Sequence, residues 1–224
     1  MSDPEPSKRK MVKVIPAATL VPSMSRLLKI LLPTQGQNTS VCFLAVVPRV
    51  FKLLHDPATG LSVDAEISQG AHFLKIEVRY KDGCHIGANT TGILVTQEGN
   101  EKFLPWTAYA TSHHCDGITI TLQNETLEVS AGNIHLDILW HQNGQNSFLW
   151  PAIRQQAPIP NAKGLLGLSP VSYVFKETTP VAKLEILGKE VLATRVSTVD
   201  YSTHAKPTVD CWLNEPGVDP PLQL

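Results

Sequence analysis

Short runs in which apolar and polar side chains alternate dominate the sequence. Apolar residues recur at every second position from Leu74 to Tyr80, and Lys75, Glu77 and Arg79 fill the positions between them. Successive side chains of a β-strand point to opposite faces of its sheet. The pattern therefore predicts a half-buried strand whose core-facing residues are Leu74, Ile76, Val78 and Tyr80.

Turn signals separate one run from the next. The run that carries Ile118, Ile120 and Leu122 ends at Asn124-Glu125, and the alternation then resumes in residues 127–129, which predicts a hairpin. Further runs occupy 134–140 and 184–186, and the second turns at Gly188-Lys189 into 191–193. No strand–helix alternation interrupts them. The sequence predicts an all-β fold, an antiparallel β-sandwich-like single domain.

The two ends of the chain differ from this middle part in composition. Residues 1–35 are polar and interrupted by prolines, and we expect them to form a flexible leader or linker outside the core. They hold the only helical candidate, Ser23 to Leu32. Residues 36–213 are the predicted β domain, in which the Pro- and Gly-rich segment 151–170 connects two halves, and residues 214–224 are a Pro-rich tail.

Composition and charge exclude several classes of partner. The 224 residues are 42% hydrophobic, which is enough for a sizeable core, and 19 Lys and Arg nearly balance 20 Asp and Glu. Because the charges nearly cancel, the composition gives no reason to expect a basic surface that binds nucleic acid. No run approaches the roughly 20 apolar residues of a membrane helix. We therefore expect neither nucleic acid nor a membrane as a partner.

Signals for secretion are mixed. The basic residues Lys8, Arg9 and Lys10 are followed by no clean apolar core and cleavage site, so the chain shows no signal peptide. Asn-x-Ser/Thr sequons nevertheless begin at Asn38, Asn89 and Asn124, and these three asparagines are glycosylation candidates.

The segment from His55 to Ile67, HDPATGLSVDAEI, combines acidic residues with turn residues. A calcium loop of the EF-hand type needs oxygen ligands at alternate positions after Asp56, followed by glycine at the sixth position. Here alanine stands at the third position and Gly60 at the fifth. A hairpin corner explains more, because Asp56-Pro57 and Gly60 form a turn and an alternating strand follows.

Four cysteines, Cys42, Cys84, Cys115 and Cys211, lack the C-x-x-C spacing of zinc and redox sites, and they permit three pairings. In His113-His114-Cys115-Asp116, a Cys beside a His suggests a Cys/His hydrolase centred on Cys115. Neighbouring strand residues point to opposite faces, however, so such a site needs a distant base, for which His135 and His141 are available. The alternative is a loop or disulfide position. We predict no catalytic residue, no metal site and no cofactor.

The aromatic residues leave another alternative open. The four tryptophans either pack in the β core or form a sugar-stacking platform on an exposed face: Trp106, Trp140, Trp150 and Trp212. The platform is the signature of a β-sandwich adhesion or sugar-binding module. The segment Gly164 to Gly167 lacks the residues of a phosphate or dinucleotide loop.

Five segments, taken in order, resemble the C-terminal domain of the inter-alpha-trypsin inhibitor heavy chains. They are Ser40-Val41-Cys42-Phe43, His55 to Asp64, Phe148-Leu149-Trp150, Gly164-Leu165-Leu166-Gly167 and Val209-Asp210-Cys211-Trp212. The resemblance covers about residues 38 to 213 and implies a secreted, non-enzymatic β domain. It links the chain to hyaluronan and extracellular matrix metabolism, and to complexes with a protease-inhibiting light chain.

The resemblance also bears on the cysteines. Cys42 and Cys211 lie in family-like segments near opposite ends of the domain, so we expect them to be paired, while Cys84 and Cys115 form either a second bridge or two buried thiols.

The chain departs from the family in one respect that affects function. The D-P-H-F motif, at which heavy chains are cleaved and esterified to a glycosaminoglycan, is absent, and the equivalent region reads Pro33 to Asn38. No residue inherits that cross-linking role.

Overall fold

The computed structural model describes residues 26–70, 72–81, 83–115, 117–154, 159–169, 171–178, 181–186 and 189–214. Nearly all of these residues lie in strands or in the turns that join them. The seventeen strands are β1 (Arg26–Leu32), β2 (Ser40–Val47), β3 (Val50–Asp56), β4 (Leu61–Ile67), β5 (Phe73–Tyr80), β6 (Cys84–Asn89), β7 (Gly92–Gln97), β8 (Asn100–Leu104), β9 (Thr111–Cys115), β10 (Ile118–Gln123), β11 (Thr126–Ala131), β12 (Ile134–Asn143), β13 (Asn146–Ile153), β14 (Tyr173–Thr178), β15 (Ala182–Ile186), β16 (Lys189–Val199) and β17 (Thr208–Asn214). A 3₁₀ turn, Leu165–Leu168, lies between β13 and β14.

The larger sheet has eleven strands and consists of two antiparallel meanders. Strands β3 to β8 pair in sequence, and so do strands β9 to β13. The two meanders meet where Phe73 of β5 pairs with Leu149 of β13. Consecutive hairpins of this kind need only short turns, as the sequence predicts.

The smaller sheet has six strands in the order β1-β2-β17-β16-β15-β14. It joins the first two strands of the chain to the last four. The join is the parallel pairing of β2 with β17, in which Trp212 lies beside Val41. Every other pair of adjacent strands in this sheet is antiparallel.

The two curled sheets pack into one sandwich-like domain, which confirms the predicted all-β class. A single hydrophobic cluster draws residues from both sheets, among them Phe43, Phe73 and Leu184. Strand β13 is buried on both of its faces from Phe148 to Ile153. A continuous apolar run of this kind is typical of a strand that is covered on both sides.

The predicted leader is wrong in its last part. Residues 26–32 form β1, which pairs along its whole length with β2, and the side chains of Leu28, Ile30 and Leu32 are buried in the core. The helical prediction for Ser23 to Leu32 therefore fails within the described residues. Periodicity does not distinguish a helix from a strand in a short run that is apolar on both faces. Here the pairing with β2 determines that the segment is a strand. Residues 1–25 lie outside the described residues.

The predicted inward face of β5 is right except at Leu74. Ile76, Val78 and Tyr80 are buried, but Leu74 is 36% exposed and Phe73 takes the core position. The cause is a β-bulge, because the register with β4 shifts between the Lys75 and Phe73 pairs. An extra residue in a strand moves the side chains beyond it to the other face.

Two connections follow the sequence pattern, and the C-terminal boundary of the last strand differs by one residue. The connection after β13 leads from the larger sheet through the 3₁₀ turn to β14 of the smaller one. The turn at Asn124-Glu125 has positive φ angles of 49° and 59°, as a tight hairpin turn requires. Asn214, placed in the tail by the sequence, is the last residue of β17. Gly188 and residues 215–224 lie outside the described residues.

Candidate functional site

Cys42 and Cys211 form a disulfide, as expected. Their Cα atoms are 5.7 Å apart, within the range that a bridge requires, and both side chains are fully buried. The bridge joins β2 to β17 at their parallel pairing, where Cys211 lies opposite Ser40. It therefore locks together the two sequence-distant parts of the smaller sheet.

The second pair, Cys84 and Cys115, was left open by the sequence and is also a disulfide. It joins the first residue of β6 to the last residue of β9, so it ties one meander of the larger sheet to the other. A sulfur atom in a disulfide is not available as a thiolate nucleophile. In this state the hydrolase hypothesis centred on Cys115 has no nucleophile.

The histidines beside Cys115 are residues of strand β9. His113 pairs with Ile120 and His114 with Thr119, so the two rings point to opposite faces of β9. The His114 Nδ1 atom lies 3.2 Å from the Thr119 hydroxyl. Asp116, the last member of this sequence cluster, lies outside the described residues.

The Asp56 turn is a hairpin corner. The buried Asp56 carboxylate accepts hydrogen bonds from the backbone N–H of Ala58, at 3.0 Å, and of Thr59, at 3.2 Å, and from the Thr59 hydroxyl, at 2.6 Å. Gly60 supplies the positive φ, +76°. The carboxylate is occupied by its own turn, as in an Asx turn, which agrees with the structural interpretation of the sequence.

Two family-like segments meet beside this turn. His55 of β3 and Lys163 exchange backbone hydrogen bonds, each of 2.9 Å. Gly164, which follows, has φ +90° and approaches the backbone of Leu53 so closely that a Cβ atom there would lie 2.5 Å from the Leu53 carbonyl oxygen. A glycine is required at this position for both reasons.

The tryptophans do not form an exposed platform among the described residues. Trp106 is 4% and Trp150 is 7% exposed, and Trp140 and Trp212 are half-buried. The Trp106 and Trp140 indole N–H groups donate to the backbone carbonyls of Asn89 and Thr90, at 2.7 and 2.9 Å. Two of the four side chains therefore hold one hairpin turn in place.

All three sequon asparagines are exposed and lie in or next to turns. Asn38 lies between β1 and β2, Asn89 ends β6 before a tight turn, and Asn124 is in the hairpin between β10 and β11. The Asn89 side-chain oxygen accepts hydrogen bonds from the backbone N–H and the hydroxyl of Thr91, at 2.8 and 2.7 Å. None of the three positions requires a core side chain to move before a glycan is attached.

The loop between β16 and β17, residues 200–207, crosses from the smaller sheet onto the larger one, and we call it the strap. The Tyr201 ring packs against Phe148 and Trp150, with ring centroids 5.2 Å from each. Its backbone carbonyl lies 2.8 Å from His141 Nε2, so the imidazole donates this hydrogen bond. The Tyr201 side chain and backbone together anchor the strap to β12 and β13.

Polar contacts hold the rest of the strap. The Arg154 guanidinium donates to the Ser202 carbonyl and, through Nε, to Asp137 at 2.6 Å. Further along, Lys206 Nζ donates to the Gln142 carbonyl at 3.1 Å. The strap therefore spans the seam between the two sheets and is attached at Ser202 and Lys206 as well as at Tyr201.

His141 is the buried polar residue at the centre of these contacts. Only 1% of its surface is exposed, and its Nδ1 atom has no hydrogen-bond partner among the described residues. Burial lowers the pKa of the imidazole, and the positive charges of Lys206 and His204 act in the same direction. The Tyr201 carbonyl opposes this change without reversing it. His141 is held in its neutral form.

Two cavities flank the strap. One, of about 270 Å³, is lined by residues that include Trp150, Arg154, Ser169, Asp200 and Ser202. The other, of about 180 Å³, is lined by Leu31, His72, Trp150 and Tyr201 among others. Trp150 borders both cavities, so the strap lies between two spaces at the seam of the sheets.

The sequence did not identify this seam. His141 was noted only as a possible partner of Cys115, and neither Tyr201 nor His204 carried a signal. The one available sign was the unbroken apolar run of β13, since a strand covered on both faces needs a second layer. The structure shows that the strap is part of that layer.

The seam carries no group of metal ligands. Within the described ranges, no three His, Cys, Asp or Glu side chains lie close enough together to hold a metal ion. The same residues include no helix with the length and apolarity needed to cross a bilayer.

Comparisons of the chain with protein-family profiles, with curated proteins and with solved structures find no match.

Proposed function

We propose that the chain is a non-enzymatic extracellular domain of the type found at the C-terminus of inter-alpha-trypsin inhibitor heavy chains. Its role is to act in hyaluronan and extracellular matrix metabolism through protein assembly, with a protease-inhibiting light chain or hyaluronan as the partner. The residues that carry the resemblance hold the fold together through direct contacts, which is the observation on which the proposal rests.

Four of the five family-like segments are in direct contact in pairs. Ser40 to Phe43 lies beside Val209 to Trp212 in the parallel pairing of β2 with β17, joined by the Cys42–Cys211 disulfide. The segment that begins at His55 is bonded to Lys163, immediately before Gly164 to Gly167. These contacts make the segments depend on one another structurally, which supports a shared fold as the origin of the resemblance.

The two disulfides also support an extracellular setting. Structural disulfides form and persist in oxidising compartments, and they are rare where thiols are kept reduced. The described tryptophans do not favour the sugar-binding alternative, because that reading requires indole faces open to solvent.

The proposal is tested by partner binding. The chain is produced in a secreting mammalian cell behind an added signal peptide and is incubated separately with the inhibitor light chain and with hyaluronan of defined length. We expect non-covalent capture by at least one of them, and no alkali-labile adduct with hyaluronan even when the transfer machinery of the family is added. If the chain binds neither partner, the proposal is overturned. An ester adduct overturns the separate prediction drawn from the missing D-P-H-F motif.

The sequons provide a separate prediction for the secreted chain. We expect glycans on Asn38, Asn89 and Asn124, because all three side chains are exposed and lie in or next to turns. Peptide mass spectrometry after enzymatic deglycosylation reports the occupancy of each site, and Thr126→Ala is the matched variant that removes one sequon while leaving Asn124 in place. Secreted protein with no glycan at any of the three sites contradicts the prediction.

A further inference from the structure

The strap brings several ionisable groups to one buried position. The His141 ring lies 5.5 Å from the His204 ring and 5.7 Å from the Tyr201 ring, measured between centroids. His204 Nε2 lies 2.8 Å from the Thr126 hydroxyl, and Lys206 is bound nearby to Gln142. On the far side of Phe148, the His72 ring stacks at 4.7 Å. His141 is therefore surrounded by aromatic rings, by the His204 imidazole and by the Lys206 ammonium group.

Among the described residues, no carboxylate is paired with His141. The acidic groups nearest in the chain are otherwise engaged, since Asp137 is paired with Arg154 and Asp200 accepts a hydrogen bond from the Ser202 backbone N–H at 2.8 Å. A proton added to Nδ1 would create a buried charge without a counter-ion, beside Lys206 and His204. Burial of an unpaired charge is costly, and the cost is relieved when the group reaches water.

We propose that the strap is an acid-sensitive latch that is closed by neutral His141 and opens at the seam between the two sheets when His141 is protonated. Opening breaks the hydrogen bond from His141 to the Tyr201 carbonyl, withdraws the Tyr201 ring from Trp150, and joins the two flanking cavities to each other. The inference does not depend on the proposed function, because every contact that carries it lies within the fold.

The direction of the pH dependence follows from linkage. The pKa of His141 is lower in the closed state than the ordinary value of about 6.5 that it regains when exposed. The open state consequently binds more protons below that value, so the closed state loses stability as the pH falls through about 6.5 and is fully stable above it. One such group favours opening by up to about tenfold for each pH unit below that point, until the closed-state pKa is reached.

Hydrogen exchange measured by mass spectrometry tests the latch on the intact chain. Between pH 7.5 and 5.5, after correction for the intrinsic pH dependence of exchange, we expect the opening constant of the strap peptide to rise, by at most about tenfold. The Glu98-Gly99 turn, on the opposite meander, is the internal reference and does not change. Emission from Trp150 shifts over the same pH range, because Tyr201 leaves its indole.

Two variants separate His141 from the other histidines. His141→Gln keeps an N–H donor for the Tyr201 carbonyl without a proton to gain, so its strap opening becomes independent of pH. His135→Gln, at an exposed position of the same strand where the ring contacts the Ser130 hydroxyl at 3.0 Å, retains the wild-type response. If His141→Gln does not fold, NMR titration of the wild-type histidines replaces it, with the His141 transition expected to coincide with strap opening.

Three outcomes overturn the inference. The first is strap exchange that stays constant between pH 7.5 and 5.5 in the wild type. The second is a full response that persists in His141→Gln, which would assign the effect to His72 or His204. The third is opening in which the strap and the reference turn respond together, which would indicate global unfolding instead of a latch.

Discussion

Replacement of Gly164 by alanine is expected to destabilise the protein by about 3 to 5 kcal/mol, or to prevent folding altogether. Two effects combine at this residue. Its backbone has φ +90° and ψ 171°, a region that only glycine occupies readily, and an added Cβ would lie 2.5 Å from the Leu53 carbonyl oxygen and 3.0 Å from the Leu54 nitrogen. Both neighbours are backbone atoms of β3, so no side-chain rotation relieves the clash.

The matched control is Gly99→Ala. Gly99 also has a positive φ, +80°, but no heavy atom lies within 4 Å of the position that its Cβ would take. Only the backbone strain remains there, and we expect a loss of about 1 kcal/mol. Urea denaturation of the two variants and the wild type gives the difference. Equal losses for the two would show that the close approach of Gly164 to β3 contributes nothing.

Removal of the Cys42–Cys211 bridge, by replacing both cysteines with serine, is expected to lower the free energy of unfolding by about 5 kcal/mol in the chain-entropy model. The residues are separated by 169 positions, so the bridge closes most of the domain into one loop. Without it, the β1–β2 hairpin is held by the short parallel pairing of β2 with β17 and by hydrogen bonds that its connecting loop forms with Val171 and Tyr173. We expect this hairpin to detach first.

The second bridge provides the comparison. Cys84 and Cys115 are separated by 31 positions, and the same model assigns about 4 kcal/mol to that loop. Thermal and urea unfolding of the two double-serine variants are therefore expected to rank the Cys42/Cys211 variant as the less stable. Hydrogen exchange in β1 and β2 shows where the loss begins. Unchanged stability of the Cys42/Cys211 variant, or a lower stability of the Cys84/Cys115 variant, would contradict the prediction.

The strands of the larger sheet were the most predictable part of the structure. Residues 118–131 illustrate the reason, since alternation places Ile118, Ile120 and Leu122 on one face and Asn124-Glu125 tolerates the positive φ of the turn. Both properties are local, because they depend on side chains two positions apart and on the backbone freedom of a residue pair. Pattern alone therefore predicts the hairpin.

The local sequence pattern does not predict the structure of a segment where pairing with a neighbouring strand determines it. β1 is apolar on both faces, so its sequence does not choose between helix and strand, and its pairing with β2 does. Leu74 has the right period for the core but is displaced by a bulge that depends on the register with β4. Neither effect is encoded within the segment that shows it.

The sequence by itself determined the all-β class and the Asp56 hairpin corner, because period-two alternation and turn residues are local patterns. It located the three sequons, whose exposure the structure shows. Only the tertiary structure decided that Cys84 bonds to Cys115, that Gly164 lies against β3, and that the strap buries His141. These contacts join residues far apart in the chain. His141 and Tyr201 meet only after the two sheets have formed and packed. Burial, and with it the lowered pKa of His141, is a property of that packing.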